Sequence, residues 1–265
     1  MVTNMKYGFI GCGNMGGAVA RALSKATKDI LITDRSGKAA AIAKELGISY
    51  GSNEEAARQC DRLYLGVKPQ MMESVLLPLR PYLQERKPLL ITMAAGLTLQ
   101  QIEGFAGCSL PVIRIMPNTP VAVGKGMTLY CRNGLVDDTV LADFLSDLRF
   151  SGTLDAIDEK LMDAACSLSG CGPAYMYMFL EALADGAVAC GVPRSKAITY
   201  AAATMAGAAE MVLSTGNHPG QLKDAVCSPG GSTIAGVRAL EQSGFRGAVI
   251  DCIAAAYERN QQLGK

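Results

Sequence analysis

Residues 11–17 read Gly11-Cys12-Gly13-Asn14-Met15-Gly16-Gly17 and follow directly on the apolar run Lys6–Ile10. Glycines spaced G-x-G-x-x-G between a strand and a helix admit few folds, because each removes a different steric obstacle. Gly11 permits a tight turn, Gly13 lets the backbone approach a pyrophosphate, and Gly16 lets the helix that follows, Ala18–Leu23, pack close to the strand. The N–H groups at that helix start have no intrahelical partner and lie at the positive end of the helix dipole, which suits phosphate oxygens. Alone the pattern is weak, since glycine is the commonest way to turn a chain. Here a second strand, Ile30–Thr33, follows and ends at Asp34, the place from which such a fold addresses a ribose. The segment is therefore expected to bind a dinucleotide.

Up to about residue 135, short apolar runs alternate with helical stretches: Lys6–Ile10, Ile30–Thr33, Leu63–Val67, Leu89–Met93, Val112–Met116 and Met127–Cys131. Such alternation predicts an α/β domain with a Rossmann-type, mostly parallel sheet wrapped by helices. Beyond roughly residue 158 the strand signals vanish, and long Ala-, Met- and Leu-rich stretches follow, broken by Gly and Pro at 170–173, 191–193, 216–220 and 229–231. The expected division is a dinucleotide-binding domain over residues 1–158 and an all-helical domain over 159–265. Within the latter, Ala197–Leu213 carries one charge, Glu210, where a helix on a monomer's surface would show a polar stripe. The whole chain is 49% hydrophobic and only 18% charged, which leaves little polar surface to face water. Both features predict a homodimer or larger assembly packed through the helical domain.

Net charge is +1 with no Lys/Arg block, so there is no electrostatic footprint for nucleic acid or an anionic membrane. The most apolar window, Ala174–Val192, carries Glu181 and Asp185; a carboxylate at mid-membrane costs about 2.5–3.5 kcal/mol, and the window reads as a buried helix. Nine scattered cysteines without a C-x-x-C pair indicate neither a disulfide framework nor a zinc site, and fit a reducing cytoplasm. No export signal is visible at the start. Small molecules are the expected partners, with no metal.

Arg35, Ser36 and Lys38 follow Asp34 at once. An Arg beside a hydroxyl can hold a ribose 2′-phosphate by charge-assisted hydrogen bonds, so NADP(H) is the expected cofactor, with NAD(H) left open by Asp34. Three more segments stand where later strands of the sheet end, and ligands bind outside those ends: Gly66-Val67-Lys68-Pro69, Met93-Ala94-Ala95-Gly96 and Met116-Pro117-Asn118-Thr119-Pro120. Asn118 can hydrogen-bond a carboxamide or the substrate; plain turn chemistry explains any one segment as well.

What the helical half lacks narrows the reaction. The only histidine, His218, lies in a Gly-Asn-His-Pro-Gly turn, which suits a loop side chain better than a proton relay. Related oxidoreductases often place a lysine after a G-x-G at the start of the helical domain, and here Gly170-Cys171-Gly172-Pro173-Ala174-Tyr175-Met176 puts Met176 there. Alcohol oxidation loses its base. A cyclic imine needs none, because its protonated C=N carbon is already an electrophile and positioning with one hydrogen bond suffices. Ser228-Pro229-Gly230-Gly231-Ser232-Thr233 opens a helix over about Thr233–Leu240 and exposes N–H groups to an anion such as a carboxylate; the same residues equally make a capping turn with Ser232 as the cap.

The sequence resembles pyrroline-5-carboxylate reductases over essentially its whole length. The resemblance rests on 8–15, Val67-Lys68-Pro69, 114–120, Ser169-Gly170-Cys171-Gly172-Pro173-Ala174-Tyr175 and Ser228-Pro229-Gly230-Gly231-Ser232-Thr233-Ile234-Ala235-Gly236. It implies an intertwined dimer, larger rings in some members, and NADPH along Ile10, Gly11, Cys12, Gly13, Asn14 and Met15, near Arg35 and Ser36 and against Asn53, Gly66–Pro69 and Met93, Ala94 and Ala95. It further implies a loop for 1-pyrroline-5-carboxylate or proline at Ser228, Gly230, Gly231 and Ser232, with Thr233 hydrogen-bonding the substrate nitrogen as the catalytic contact. Reductases of other small acids and a sensor that binds NADP(H) without turnover are the alternatives.

Overall fold

The computed structural model describes residues 5–35 and 37–263; Ser36 lies outside the described residues. Eight strands form one sheet: β1 (Tyr7–Ile10), β2 (Ile30–Thr33), β3 (Ser49–Tyr50), β4 (Arg62–Leu65), β5 (Leu89–Thr92), β6 (Val112–Met116), β7 (Gly126–Arg132) and β8 (Gly152–Ala156), in the order β3-β2-β1-β4-β5-β6-β7-β8. All neighbours run parallel except β6 and β7. The link between those two is only 117–125, too short for the crossover a parallel pair requires.

Between the strands run α1 (Asn14–Leu23), α2 (Lys38–Leu46), α3 (Asn53–Gln59), α4 (Met72–Leu76), α5 (Arg80–Arg86), α6 (Leu99–Ala106) and α7 (Asp138–Asp147). They cover both faces of the sheet, which is why β1, β4, β5 and β6 are buried at every residue and show no inside–outside alternation. On one face Val19 and Leu23 of α1, Ala43 of α2 and Phe144 of α7 pack on Phe9, Ile32, Tyr64 and Ile113. On the other, Ala56, Met72, Leu83 and Ile102 pack on Ile10, Leu63, Leu65 and Val112. Burying one such aliphatic side chain contributes about 1.5–3 kcal/mol.

All six predicted strands form, within a residue or two at most ends. Two further strands were not foreseen. Both β3, two exposed residues, and β8, with burial confined to parts of a mixed Gly-Thr-Leu-Asp-Ala segment, are edge strands. Pairing defines them and composition does not.

Five more helices follow α8 (Met162–Ser169): α9 (Gly172–Ala189), α10 (Arg194–Thr215), α11 (Pro219–Ala225), α12 (Ser232–Gln242) and α13 (Phe245–Leu263). By compactness the chain divides into one unit running to Cys171 together with the stretch from Ala256, and a second, Gly172–Ala255. The sequence placed the boundary near 158 instead, because that is where strand signals stop. Met162 and Cys166 of α8 pack with Met116 and Leu129 of the sheet, so α8 is helical by composition yet part of the sheet unit by contact.

In the second unit large apolar side chains stand open, with Met178 70%, Leu213 78% and Ile250 67% exposed. A single chain leaves this surface uncovered, as the nearly uncharged 197–213 segment predicts. Among the described residues no helix is long and apolar enough to cross a membrane.

Candidate active site

Register brings the predicted cofactor loops together. Ile10 pairs with Thr33 and with Leu65, and Leu65 with Thr92, so the segments after β1, β2, β4 and β5 leave the same edge of the sheet. Strand order reverses between β2-β1 and β4-β5, and a crevice opens at such a switch point. Here a cleft of about 360 Å³ is lined by Ile10, Gly11, Thr33, Asp34, Arg35, Ser52, Asn53, Val67 and Lys68, among others.

Gly11 turns the chain with φ +88°, and a Cβ on it would lie 2.9 Å from both the Gly66 carbonyl carbon and the Val67 nitrogen. A Cβ on Gly16 would lie 2.6 Å from the Gly11 oxygen, and one on Gly66 2.3 Å from the same atom. These three glycines pack backbone on backbone. Gly13 differs: a Cβ there would meet nothing within 4 Å. Its space is open, as a backbone meant to face a ligand requires. Gly13 also serves as the N-cap of α1, with no side chain capping the helix and no acid in its first turn, so Asn14, Met15 and Gly16 begin a helix whose anion-attracting end is uncompensated. Cys12, Gly13 and Asn14 border a second hollow beside Arg21 and Lys38. The Cys12 thiol is buried, and burial, with the Asp34 carboxylate second, pushes it up to about 11; it stays protonated, and Cys12 acts through its backbone.

Asp34 stands at the predicted position, but its carboxylate is turned into the loop that follows. It accepts hydrogen bonds from the Gly37 N–H at 3.0 Å and the Ala39 N–H at 3.2 Å, which folds the chain from β2 into α2. Arg35 is left exposed at the cleft. Across it, the Thr33 hydroxyl donates to Asn53 Oδ1, holding Asn53 at the start of α3, where Ser52 and Glu55 form a capping box. Thr33 was not foreseen, since no local pattern marks it; the S-x-x-E of the capping box was legible. Lys68 and Pro69 begin the turn after β4. Met93 and Ala95 are half-buried at the end of β5 and Ala94 is buried, so Ala94 offers backbone only.

Asn118 has a structural task that the sequence did not show. Its Oδ1 accepts from the Met127 N–H and its Nδ2 donates to the Ser169 carbonyl, both at 2.9 Å. The side chain is buried and engaged at both ends, a brace between β7 and the end of α8.

In the helical unit, Ser228–Gly231 makes a turn closed by the Gly231 N–H on the Ser228 carbonyl at 3.0 Å, with Gly230 at φ +68°. A Cβ on Gly231 would lie 2.3 Å from the Ser228 hydroxyl. The cap of α12 is Gly231, with no side-chain hydrogen bond and no acid in the first turn. Ser232 is the first helical residue, so the alternative in which it caps the helix is not realised. The first N–H groups of α12 are therefore open to an anion, beside the exposed Ser232 and Thr233. His218 caps α11, its Nδ1 accepting from the Gly220 N–H at 3.0 Å, and Met176 is half-exposed on α9.

A nucleotide cleft at the switch point of a Rossmann-type sheet, in a chain that continues as helices with an open, hydroxyl-flanked helix start, defines a nicotinamide-dependent oxidoreductase. The family described as pyrroline-5-carboxylate reductase dimerisation matches residues 159–263, and that described as NADP oxidoreductase, coenzyme F420-dependent, matches 6–96. Pyrroline-5-carboxylate reductase of Escherichia coli (strain K12) is 42% identical over 266 residues, covering 98% of each chain. That of Pisum sativum is 42% identical over 262 residues, 97% of this chain and 95% of the other. The crystal structure of Plasmodium falciparum pyrroline carboxylate reductase with NADP bound has a TM-score of 0.89 at 36% identity, over 99% of both chains. The chain belongs to the pyrroline-5-carboxylate reductase family.

Proposed function

We propose that this chain reduces 1-pyrroline-5-carboxylate to L-proline with NADPH, the last step of proline formation. The observation that supports the reading within the family is the uncapped start of α12, with no acid and with Thr233 in its first turn, which suits a carboxylate. NADPH, when bound, would supply a hydride to the carbon of the imine already protonated on nitrogen, so that the C=N π pair becomes the nitrogen lone pair of the secondary amine and no further proton is needed. The residues of the chain have lighter tasks. N–H groups of Ser232 and Thr233 hold the substrate carboxylate where Gly230 and Gly231 shape the approach, with the Ser228 and Ser232 hydroxyls beside it, and the Thr233 hydroxyl hydrogen-bonds the ring nitrogen. The uncompensated start of α1 and the open face at Gly13 fit a pyrophosphate, and Arg35, Ser36 and Lys38 fit a 2′-phosphate. Lys68 and Asn53 flank the ribose end.

Thr233→Val removes one hydrogen bond at the reacting centre and is expected to lower kcat/KM for the imine by about 1–3 kcal/mol in transition-state stabilisation. Steady-state kinetics with NADPH and pyrroline-5-carboxylate measures this; an unchanged kcat/KM removes Thr233 from the reaction. NADPH binding without any proline formed by the wild type would instead favour the sensor reading.

Cofactor choice turns on Asp34. With its oxygens on the Gly37 and Ala39 N–H groups, it orders the loop that carries Arg35. Asp34→Asn weakens that turn by about 1 kcal/mol, so KM for NADPH should rise about fivefold with little change for NADH. The opposite outcome, better use of NADPH and collapse with NADH, would make Asp34 the ribose acid after all.

The proposal extends to a homodimer joined through the helical unit, a larger ring of dimers as the family resemblance implies, and a place in the cytoplasm. Sedimentation at micromolar concentration tests the assembly, and a monomer there overturns it.

A further inference from the structure

Thr33 ends β2 in the wall of the nucleotide cleft, 2% exposed, and two parts of the residue hold two different segments. Its carbonyl accepts from the Gly11 N–H at 3.1 Å and the Cys12 N–H at 2.9 Å, which fastens the end of β2 to the glycine turn. Its hydroxyl donates to Asn53 Oδ1. A buried hydroxyl has one proton and must place it on an acceptor or leave it unmet. Among the described residues Thr33 Oγ1 has no other hydrogen-bond partner, so the Asn53 atom that faces it has to be the oxygen. With the amide reversed, NH2 would meet the hydroxyl oxygen and the buried Thr33 proton would have no acceptor.

The consequence falls on the other end of the amide. The backbone around Asn53 is held independently, by the Gly51 N–H on the Ile32 carbonyl at 3.2 Å and by the Ser52–Glu55 capping box. What remains is rotation of the amide, whose two states exchange a donor for an acceptor at nearly the same shape. With Oδ1 turned to Thr33, Nδ2 has no protein partner among the described residues, on a half-buried side chain that lines the same cleft as Arg35 and Lys68. Donor and acceptor select opposite ligands there. A ribose 2′-phosphate offers acceptor oxygens to an NH2 group, whereas an amide oxygen repels the phosphate and takes the proton of a 2′-hydroxyl.

We infer that Thr33 is a positioning residue for cofactor choice: by occupying the Asn53 oxygen it presents the amide donors to the ligand, and so favours a 2′-phosphate over a 2′-hydroxyl. It acts through Asn53. This rests on the reading above, in which the cleft takes the adenosine end of NADPH.

The test is calorimetric binding of 2′,5′-ADP and 5′-AMP, the same nucleotide with and without the 2′-phosphate, to the full-length protein. Thr33→Val removes the hydroxyl and frees the amide to rotate; affinity for 2′,5′-ADP should fall about fivefold, as for one hydrogen bond, with 5′-AMP held within about twofold. Thr33→Ser keeps a hydroxyl and should bind both as the wild type does. Asn53→Ala should show the same selective loss, and in that background Thr33→Val should add nothing. The inference is overturned by an equal loss of both nucleotides in Thr33→Val, or by an effect of Thr33→Val that persists at full size without the Asn53 amide. Unchanged 2′,5′-ADP binding in Asn53→Ala overturns it as well, whether or not Thr33→Val folds. Wild-type protein that binds 5′-AMP as tightly as 2′,5′-ADP overturns both the inference and the cofactor reading beneath it. Wild-type protein that prefers 2′,5′-ADP yet never reduces the imine overturns the proposed reaction and leaves the role of Thr33 standing.

Discussion

Exchanging Gly11 for alanine is expected to destroy the cofactor site and to destabilise the sheet unit together. At φ +88° an L-residue pays about 1–2 kcal/mol for the left-handed backbone. The new Cβ would also stand 2.9 Å from the Gly66 carbonyl carbon and the Val67 nitrogen, which are backbone atoms held by the β1–β4 ladder and not the tip of a flexible side chain. Separating them strains two central strands, at a further cost of about 1–3 kcal/mol. The summed effect of about 2–5 kcal/mol should appear in chemical denaturation at fixed protomer concentration. Because the same turn aims the start of α1, calorimetry should detect no NADP binding in the folded fraction. A variant with wild-type stability and NADP affinity would show that this turn tolerates a side chain.

Asp147→Ala should be equally severe, at the opposite edge of the sheet. Arg62 on β4 is buried, and its guanidinium is paired with Asp147 and, at 3.3 Å, with Asp143. The Tyr7 hydroxyl donates to Asp147 at 2.8 Å. Burial foremost raises the Tyr7 phenol above its usual range, so it remains a donor at neutral pH. Removing Asp147 leaves the guanidinium with only the largely exposed Asp143 and orphans the phenol, and breaking a buried pair in this way costs about 3–5 kcal/mol. Cofactor binding in the surviving folded protein should be unaffected, since this cluster lies where β1 and β4 begin and the cleft lies where they end. Denaturation curves with NADP titrations would check both halves, and a loss below about 1 kcal/mol would mean that Arg62 finds solvent.

The legible parts of the site share one property: their meaning lies in neighbours along the chain. Gly11, Gly13 and Gly16 could be assigned different tasks from spacing alone, and the structure separates them in the same way, two packed against backbone and one facing open space. Helix α12 could be foreseen from its glycines and apolar spacing. The bracing role of Asn118 was not legible because its partners, Met127 and Ser169, lie in other elements, and nothing beside it in the chain marks a carboxamide already engaged. Strand β8 escaped notice for a related reason: a half-exposed edge strand takes its conformation from the neighbour it pairs with.

Sequence by itself determined the alternation of the six inner strands with helices, the dinucleotide turn and the family, because these follow from local periodicity, from glycine stereochemistry and from motifs in a set spacing. Only the tertiary structure decided that Asp34 turns back to fold its own loop, that Gly231 and not Ser232 caps α12, and that α8 belongs with the sheet. It also decided that Arg62 and Arg114 are interior charges paired with acids far along the chain. The physical reason is that burial and ion pairing depend on which residues share a volume. That is set by how the strands order and register, and no window of sequence contains it.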